Sequence, residues 1–473
     1  MSKPLTKKEA QEISKKLSLK PRLAWDEMSE KEREDAFALC EIYKAFLDAG
    51  KTEREAAAFL GARAAELGFV SLTRENPGNK FARSYGNKCL ALAHLGDSGP
   101  DAGFLIVAAH IDSPRLDLKP NPLYEEAEVA FLKTHYYGGI HKYQWLARPL
   151  AMHGRVIRKD GSKLDFVLGE SEDDPVLTIL DILPHLAADV YGGKVVGKAF
   201  EAEKLNIVLG TLPLGPDDVK DRIKIHALKL LNEKYGIVEE DLVTSEIEVV
   251  PAGRARDVGL DRSLVGSYGQ DDRICAFAAV EALFSLKNPR HTAVVFLFDK
   301  EEIGSEGRTS AKSHIVLDFL SDLLEKQGSA CDDRALRRAL LKAKALSCDV
   351  NGAFDPDYQS VHEKKNAAKL GHGVCITKYT GSRGKSGAND ASAEYMAEIV
   401  KIFNDNKVVW QTGELGRVDA GGGGTVAKFL AQYGMEIVDC GPAILAMHSP
   451  FEVASKADVA MTTKAYRAFM QQE

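Results

Sequence analysis

Residues 104–114 read FLIVAAHIDSP, an apolar run that ends in a histidine and an aspartate. A second run of this kind, TAVVFLF at residues 292–298, is followed at once by DKEE. Short apolar runs are typical of strands that are buried on both faces of a parallel sheet. Because helix-like segments alternate with such runs, we expect an α/β fold with a mostly parallel central sheet flanked by helices.

The character of the sequence changes between residues 120 and 251. Short β-rich pieces, such as residues 154–157 and 207–209, are separated there by polar loops. The chain of 473 residues is also too long for one simple core, since domains usually have about 100–200 residues. We therefore expect a β-rich domain at residues 120–251, inserted into a first domain that residues 1–119 and 252–473 form together.

Composition excludes several classes of protein. The net charge of −7 and the lack of a basic stripe argue against binding to nucleic acid. No apolar run reaches the roughly 18–20 residues of a membrane-spanning helix, and MSKPLTKKEAQEISKK at the start lacks the apolar core of a secretory signal. We therefore expect a cytoplasmic protein that binds neither nucleic acid nor membrane.

The seven cysteines show no CxxC spacing, which argues against a disulfide framework or a cysteine zinc site. Any metal ion must therefore be held by histidine, aspartate and glutamate. Residues of these types follow or interrupt five apolar segments, namely His110 and Asp112, Asp271 and Asp272, Asp299 with Glu301 and Glu302, Asp349, and His448. Because ligands bind at the carboxyl ends of strands in open α/β sheets, we expect these side chains to meet.

Each of the five segments also has a more ordinary explanation. The helix dipole favours acidic residues at the start of a helix. Acidic residues in loops are often simply solvated, and a single histidine often has a structural role. Together, however, the segments supply two imidazoles and several carboxylates, a set that suits zinc, with manganese or cobalt as alternatives. Carboxylates gathered at one sheet edge would repel one another without cations, so the combination predicts a metal site.

The residues also indicate how roles can be divided at such a site. One of the neighbouring glutamates 301 and 302 can bind metal while the other accepts a proton from water. Asp112 stands two residues after His110 and is placed to fix the tautomer of that histidine. One aspartate of the pair at 271 and 272 can bridge two cations.

The segments AHIDSP, DDR, DKEEIGSEG, DVNGAFDPDY and LAMHSPFE, in this order, resemble the aspartyl aminopeptidase family of dizinc exopeptidases. The similarity covers nearly the whole chain, including residues 120–251. It implies a zinc exopeptidase-like fold and a metallo-aminopeptidase that removes the N-terminal residue of peptides with water activated by two divalent ions. It also implies that the inserted domain is a dimerisation domain, and that dimers build a homo-oligomer, a dodecamer.

The resemblance further implies a role for each residue of the site. The implied ligands are His110 and Asp349 for one ion, Glu302 and His448 for the other, and Asp271 as the bridge. Asp271 is preferred over Asp272 because it preserves the family's spacing to Ala282 and Leu283. Glu301 is the implied general base, and Asp112 orients His110.

Weaker similarities point to substrate contacts. The residues are His185, which would act in a neighbouring subunit, together with His362, Lys378, Gly424 and Thr425. Gly352 stands where members that prefer acidic substrates carry a histidine. The preferred N-terminal residue is therefore open between acidic residues and a neutral or broad range.

Two other functions remain open. One is a dimetal amidohydrolase or deacylase on the same scaffold, and the other is an inactive scaffold that only forms particles. The inserted domain and the LAMHSPFE segment favour the aminopeptidase over the deacylase. The complete set of ligands, with its general base present, favours an active enzyme over a scaffold.

Overall fold

The computed structural model describes residues 5–73, 75–329 and 332–472. Cys331 lies outside these ranges, and the six described cysteines are buried and free, as expected. The α-helices are α1 (Lys7–Leu17), α2 (Ala24–Glu27), α3 (Glu30–Ala49), α4 (Glu53–Glu66), α5 (Pro184–Tyr191), α6 (Val196–Ala199), α7 (Arg222–Tyr235), α8 (Glu239–Val243), α9 (Gln270–Phe284), α10 (Ile315–Lys326), α11 (Asp333–Lys342), α12 (Ala393–Asp405), α13 (Ala427–Ala431) and α14 (Lys456–Met470). None of these helices is both long and apolar enough to cross a bilayer.

The strands fall into a large sheet, a second sheet and a small two-stranded ribbon. They are β1 (Val70–Ser71), β2 (Lys80–Tyr85), β3 (Cys89–His94), β4 (Phe104–His110), β5 (Arg115–Glu126), β6 (Val129–Tyr137), β7 (Leu150–Ile157), β8 (Lys163–Leu168), β9 (Thr178–Ile179), β10 (Ile207–Gly210), β11 (Ser245–Pro251), β12 (Arg256–Val258), β13 (Leu264–Ser267), β14 (Thr292–Phe298), β15 (Lys344–Ser347), β16 (Asn351–Gly352), β17 (Val374–Thr377), β18 (Gly381–Ser382), β19 (Trp410–Thr412), β20 (Gly422–Gly423), β21 (Glu436–Leu445) and β22 (Glu452–Ser455).

The large sheet is mixed, so the prediction of a mostly parallel sheet is correct only for its centre. Its main order is β1-β2-β3-β14-β4-β15-β21-β22-β13-β12, and β16 and β17 pair alongside β21. The central strands β14, β4, β15 and β21 are parallel. The pairs β2–β3 and β3–β14 on one side, and β21–β22, β22–β13 and β13–β12 on the other, are antiparallel.

Short connections explain the antiparallel pairs between strands that follow one another in the chain. Only residues 86–88 separate β2 from β3, and only residues 446–451 separate β21 from β22. Such connections cannot hold a crossover helix, and parallel neighbours need one of a dozen residues or more. The central strand β21 runs on past Gly441 to Leu445, because the residues after that glycine are also apolar and largely buried.

Both faces of the central strands are buried, as the apolar runs predict. Along β4, Leu105, Val107 and Ala109 belong to the core that α9 and α14 cover. Phe104, Ile106 and Ala108 belong to the core on the opposite face, which α10 and α13 cover. Side chains alternate between the faces of a strand, so a strand covered on both sides needs an unbroken apolar run.

The second sheet has the order β8-β7-β11-β5-β6-β10-β9, and all of its described pairs are antiparallel. Every strand in it comes from residues 115–251. It has its own hydrophobic core, with Trp145 fully buried among aliphatic side chains. The predicted domain boundary at residue 120 falls inside β5.

Candidate metal centre

The ends of three parallel strands bring candidate ligands to one edge of the large sheet. His110 is the last residue of β4, and it lies opposite Phe298, the last residue of β14. Glu301 and Glu302 follow β14 in a short turn, and Asp349 follows β15. These acidic residues therefore lie at the same edge of the sheet as His110.

Asp271 and His448 reach the same place from other elements. Asp271 lies at the start of α9, where its φ of −78° and ψ of 109° are not yet helical. His448 lies in the loop between β21 and β22, with a positive φ of 63°. The five predicted ligands are thus drawn from three strand ends, one helix start and one loop.

Asp271 lies between the two histidines. Its Oδ1 is 3.3 Å from His110 Nε2, and its Oδ2 is 3.1 Å from His448 Nε2. Asp349 Oδ1 lies 3.9 Å from His110 Nε2, and Glu302 Oε1 lies 3.5 Å from His448 Nε2. The side chains therefore form two groups that share the Asp271 carboxylate.

The donor set fits divalent cations. Two sets of three residues have ligand atoms within 4.8 Å of one another, namely His110 with Asp272 and Asp349, and His110 with Asp271 and Glu302. Among the described residues, the buried atoms Asp271 Oδ1, Asp272 Oδ1 and Glu302 Oε1 lack a hydrogen bond. Buried carboxylates without a partner are costly, and a mixture of imidazole and carboxylate ligands suits zinc.

Both neighbouring aspartates lie close to His110, but they face it differently. Asp272 belongs to one of the two ligand sets, and its Oδ2 accepts a hydrogen bond from the His110 backbone N–H at 3.3 Å. Asp271 instead directs one oxygen to each histidine. A ligand shared by two cations would have to face both histidines, and of the two aspartates Asp271 is the one whose oxygens do so.

Asp112 fixes several parts of the centre at once. Its Oδ1 lies 3.4 Å from His110 Nδ1. Its two oxygens also accept hydrogen bonds from the backbone N–H groups of Glu301 and Glu302, at 3.1 and 3.2 Å. The backbone carbonyl of Asp112 lies closer to Nδ1, at 3.0 Å, and either acceptor favours the tautomer that leaves Nε2 free for a metal ion.

Burial and neighbouring charges shift the pKa values of the cluster. Burial raises the pKa of Glu301 to about 7. Burial and the nearby Asp271 carboxylate raise the pKa of Glu302 and Asp349 well above the usual value. Burial alone would lower the pKa of His448, but Asp271 and Glu302 raise it to about 10. Without cations the cluster therefore retains protons, which a divalent cation would displace on binding.

The cluster opens into a pocket of about 270 Å³. Val350, Leu415 and Met447 supply apolar walls, and Gly424 and Thr425 from the predicted glycine-rich loop lie along it. The Thr425 hydroxyl donates a hydrogen bond of 2.5 Å to Asp439 Oδ1. This pocket gives a substrate direct access to the candidate metal ligands.

The structure does not bring the other three predicted substrate residues to this pocket. Lys378 Nζ binds Asp390 Oδ1 at 2.8 Å, and Lys385 Nζ binds the other oxygen at 2.9 Å, but only Lys385 lies in the pocket wall, together with Arg383. His362 Nε2 accepts a hydrogen bond from a neighbouring backbone N–H in its own loop, so its ring is engaged locally. His185 is exposed on α5 and does not line this pocket.

Glu452 carries no prediction from the sequence, yet it holds two of the candidate ligands. Its carboxylate accepts the backbone N–H of His448 at 2.7 Å and that of Asp271 at 3.1 Å. The side chain is fully buried. The segment LAMHSPFE could have indicated this residue, because a glutamate ends it four residues after the histidine.

Comparisons with known proteins find relatives that match most of the chain. A family model described as aminopeptidase I zinc metalloprotease (M18) matches residues 46–470. The curated probable M18 family aminopeptidase 1 of Clostridium acetobutylicum is 47% identical over 454 residues, covering 94% of this chain and 97% of the relative. The aspartyl aminopeptidase of Caenorhabditis elegans is 27% identical over 401 residues, covering 81% and 83%.

Solved structures show the same fold. The M18 aminopeptidase from Thermotoga maritima has a TM-score of 0.92 and 44% identity, with 96% of this chain and 100% of that chain covered. A structure of the mApe1 dodecamer from Saccharomyces cerevisiae has a TM-score of 0.72, covering 91% of this chain and 95% of that one. At 21% identity, this similarity shows a shared fold and nothing more.

Proposed function

Since the chain belongs to the M18 family of zinc metalloproteases and is an aminopeptidase, we propose that it removes the N-terminal residue of peptides in the cytosol with two divalent metal ions. The observation that carries the proposal is the position of Asp271, whose two oxygens each face a different histidine. A single carboxylate placed in this way suits two cations better than one.

The described residues suffice to hold both ions, in the first place Zn²⁺, with Mn²⁺ or Co²⁺ as alternatives. The proposed ligands are His110 and Asp349 on one side, His448 and Glu302 on the other, and Asp271 in common. When bound, the ions would lower the pKa of a water molecule and polarise the peptide carbonyl.

Glu301 is the proposed general base. It lines the pocket, and its Oε2 lies 4.0 Å from His110 Nε2. Its pKa of about 7, raised by burial, lies near the pH at which a base accepts and returns protons most effectively. We therefore assign to Glu301 the removal of a proton from the attacking water and its delivery to the leaving amine.

The pocket suits acidic and neutral N-terminal residues alike. Arg383, Lys385 and Arg417 lie in its wall beside the apolar side chain of Leu415. A β-carbon at Gly352 would lie 2.9 Å from Leu415 Cδ1, so a histidine there would require that leucine to move. We propose a preference broader than acidic residues alone.

Aminoacyl p-nitroanilides with acidic, neutral and basic residues, each with a free or an acetylated amine, test this function after reconstitution with metal. We expect turnover of acidic and neutral compounds that carry a free amine, and none of their acetylated forms. Release of acetate from the acetylated compounds would support the deacylase alternative, and direct release of p-nitroaniline from them would contradict the need for a free amine. Failure of the protein to bind metal at all would support the inactive scaffold.

We also propose that residues 120–251 form a dimerisation domain and that dimers build a dodecamer. Support comes from a set of exposed apolar side chains on and around α5 and α6, namely Leu180, Leu183, Leu186, Val195 and Val196. Exposed apolar patches often mark protein–protein interfaces. Since His185 lies on the same helix, this interface would carry it towards a neighbouring subunit.

Replacing Leu183 and Leu186 together by aspartate is expected to lower the mass of the assembly. Both side chains are about half exposed, at 50% and 51%. Charges at these positions would have to be desolvated when the interface forms. Sedimentation measures the mass. Leu260→Asp, at a fully exposed leucine of the large-sheet region, is the matched control and should leave the mass unchanged. A wild-type protein that sediments near the monomer mass of 51.6 kDa would contradict the proposal.

A further inference from the structure

Tyr137, the last residue of β6, reaches from the second sheet into the candidate metal centre. Its hydroxyl donates a hydrogen bond of 2.8 Å to Asp112 Oδ2, and the residue is only 8% exposed. The same carboxylate contacts the His110 ring and accepts the backbone N–H groups of Glu301 and Glu302. Of these four partners of Asp112, Tyr137 is the one that the second sheet supplies.

The two residues after Tyr137 lie against the other ion position. A β-carbon at Gly138 would lie 3.3 Å from Glu302 Cβ, so the backbone there packs closely on this glutamate. The Gly139 carbonyl lies 2.9 Å from His448 Nδ1, where it can accept a hydrogen bond. Such a bond leaves His448 Nε2 free for metal. Residues 137–139 therefore support residues from both ion positions.

The ring of Tyr137 is itself firmly placed. Arg115 is its cross-strand neighbour on β5, and the guanidinium carbon lies 3.9 Å from the ring centroid. Arg115 also lies 3.3 Å from Glu53, at the start of α4, and 3.3 Å from Glu248, on β11. Because these partners belong to both parts of the molecule, the ring is fixed where the two sheets meet.

We propose that Tyr137 is a positioning residue for the metal centre, which couples the second sheet to the orientation of Asp112. This inference rests on the proposed two-metal function. The Tyr137 hydroxyl holds one oxygen of Asp112, and that carboxylate then holds His110 and the backbone of both glutamates. Loss of the hydroxyl removes one of the four contacts that hold the Asp112 carboxylate, so Asp112, and His110 with it, is less firmly oriented for a cation. Replacement of a residue that supports a metal ligand typically lowers metal affinity by about 10–100-fold.

Tyr137→Phe tests the proposal, because it removes the hydroxyl and keeps the ring. The metal-free protein is titrated with Co²⁺ followed by absorbance, and with Zn²⁺ followed by calorimetry. We expect one of two ions to bind about 10–100-fold more weakly. Tyr395→Phe is the matched control, since its buried hydroxyl donates to the Ala345 carbonyl at 2.9 Å, away from the centre. The control should bind both ions as the wild type does.

A double-mutant cycle separates positioning from general structural support. If Tyr137 acts through Asp112, Tyr137→Phe should change metal affinity little in an Asp112→Asn background. Fully additive losses would overturn the proposal, as would affinity in Tyr137→Phe within twofold of the wild type. If Tyr137→Phe does not fold, p-aminophenylalanine at this position keeps a donor and should retain metal affinity. A tenfold loss in that variant would also overturn the proposal.

The wild-type titration distinguishes a failure of the proposed metal centre from a failure of the proposed role of Tyr137. Binding of fewer than two ions by the wild type would count against the proposed metal centre itself. Binding of two ions by the wild type and equally tight binding by Tyr137→Phe would count against the role of Tyr137 alone.

Discussion

Replacement of Glu301 by glutamine is expected to lower kcat by about 10²–10⁴-fold, the usual contribution of a general acid–base residue. Glutamine has nearly the same shape as glutamate but cannot accept the proton of the attacking water. The proposed metal ligands are left intact, so both ions should stay bound. The variant is checked by measuring turnover of an aminoacyl p-nitroanilide together with metal content.

Glu306→Gln is the matched control for this variant. Glu306 lies in the same loop, but its side chain is exposed and pairs with Lys312, so its removal should not affect kcat. Near-normal turnover by Glu301→Gln with both ions bound would exclude Glu301 as the base. Loss of an ion from that variant would instead make Glu301 a ligand.

Replacement of Asp271 by asparagine is expected to weaken binding of both ions by more than about 100-fold, beyond the effect typical of an outer partner. The two oxygens of Asp271 face His110 and His448 separately, and the amide nitrogen of asparagine cannot replace one of them. Activity should fall with metal content. Dialysis followed by metal analysis, with turnover measured on the same sample, checks this result.

Asp272→Asn provides the sharpest comparison. Asp272 meets the centre only on the side of His110 and Asp349, so its replacement should affect at most one ion. If Asp272→Asn lost both ions while Asp271→Asn kept both, the assignment of the shared ligand would be reversed.

The sequence predicts the central strands well because burial on both faces determines their composition. A strand covered on both faces must be apolar throughout, and FLIVAA and TAVVFLF meet that condition. The antiparallel flanks could not be predicted in the same way. Whether two strands pair in parallel depends on the length of the connection and on the neighbour available, and neither is a property of the strand's own composition.

The placement of three candidate ligands, His110, Glu302 and Asp349, was predictable for a related reason. Parallel strands end at one edge of the sheet, so polar residues that follow apolar runs come together there. Tyr137 and Gly139 lack such a signal, because their contacts depend on how the second sheet lies against the first. Lys378 shows the limit within loops, where this lysine and Lys385 both bind Asp390 but only Lys385 lies in the pocket wall.

Anomalous diffraction at the zinc edge, from crystals of the zinc-loaded protein, tests the central claim most directly. We expect two peaks in each subunit, on either side of the Asp271 carboxylate, each about 2.0–2.2 Å from one of its oxygens and about 2.0–2.1 Å from His110 or His448 Nε2. A single peak, or peaks outside this cluster of histidines and carboxylates, would contradict the two-metal account.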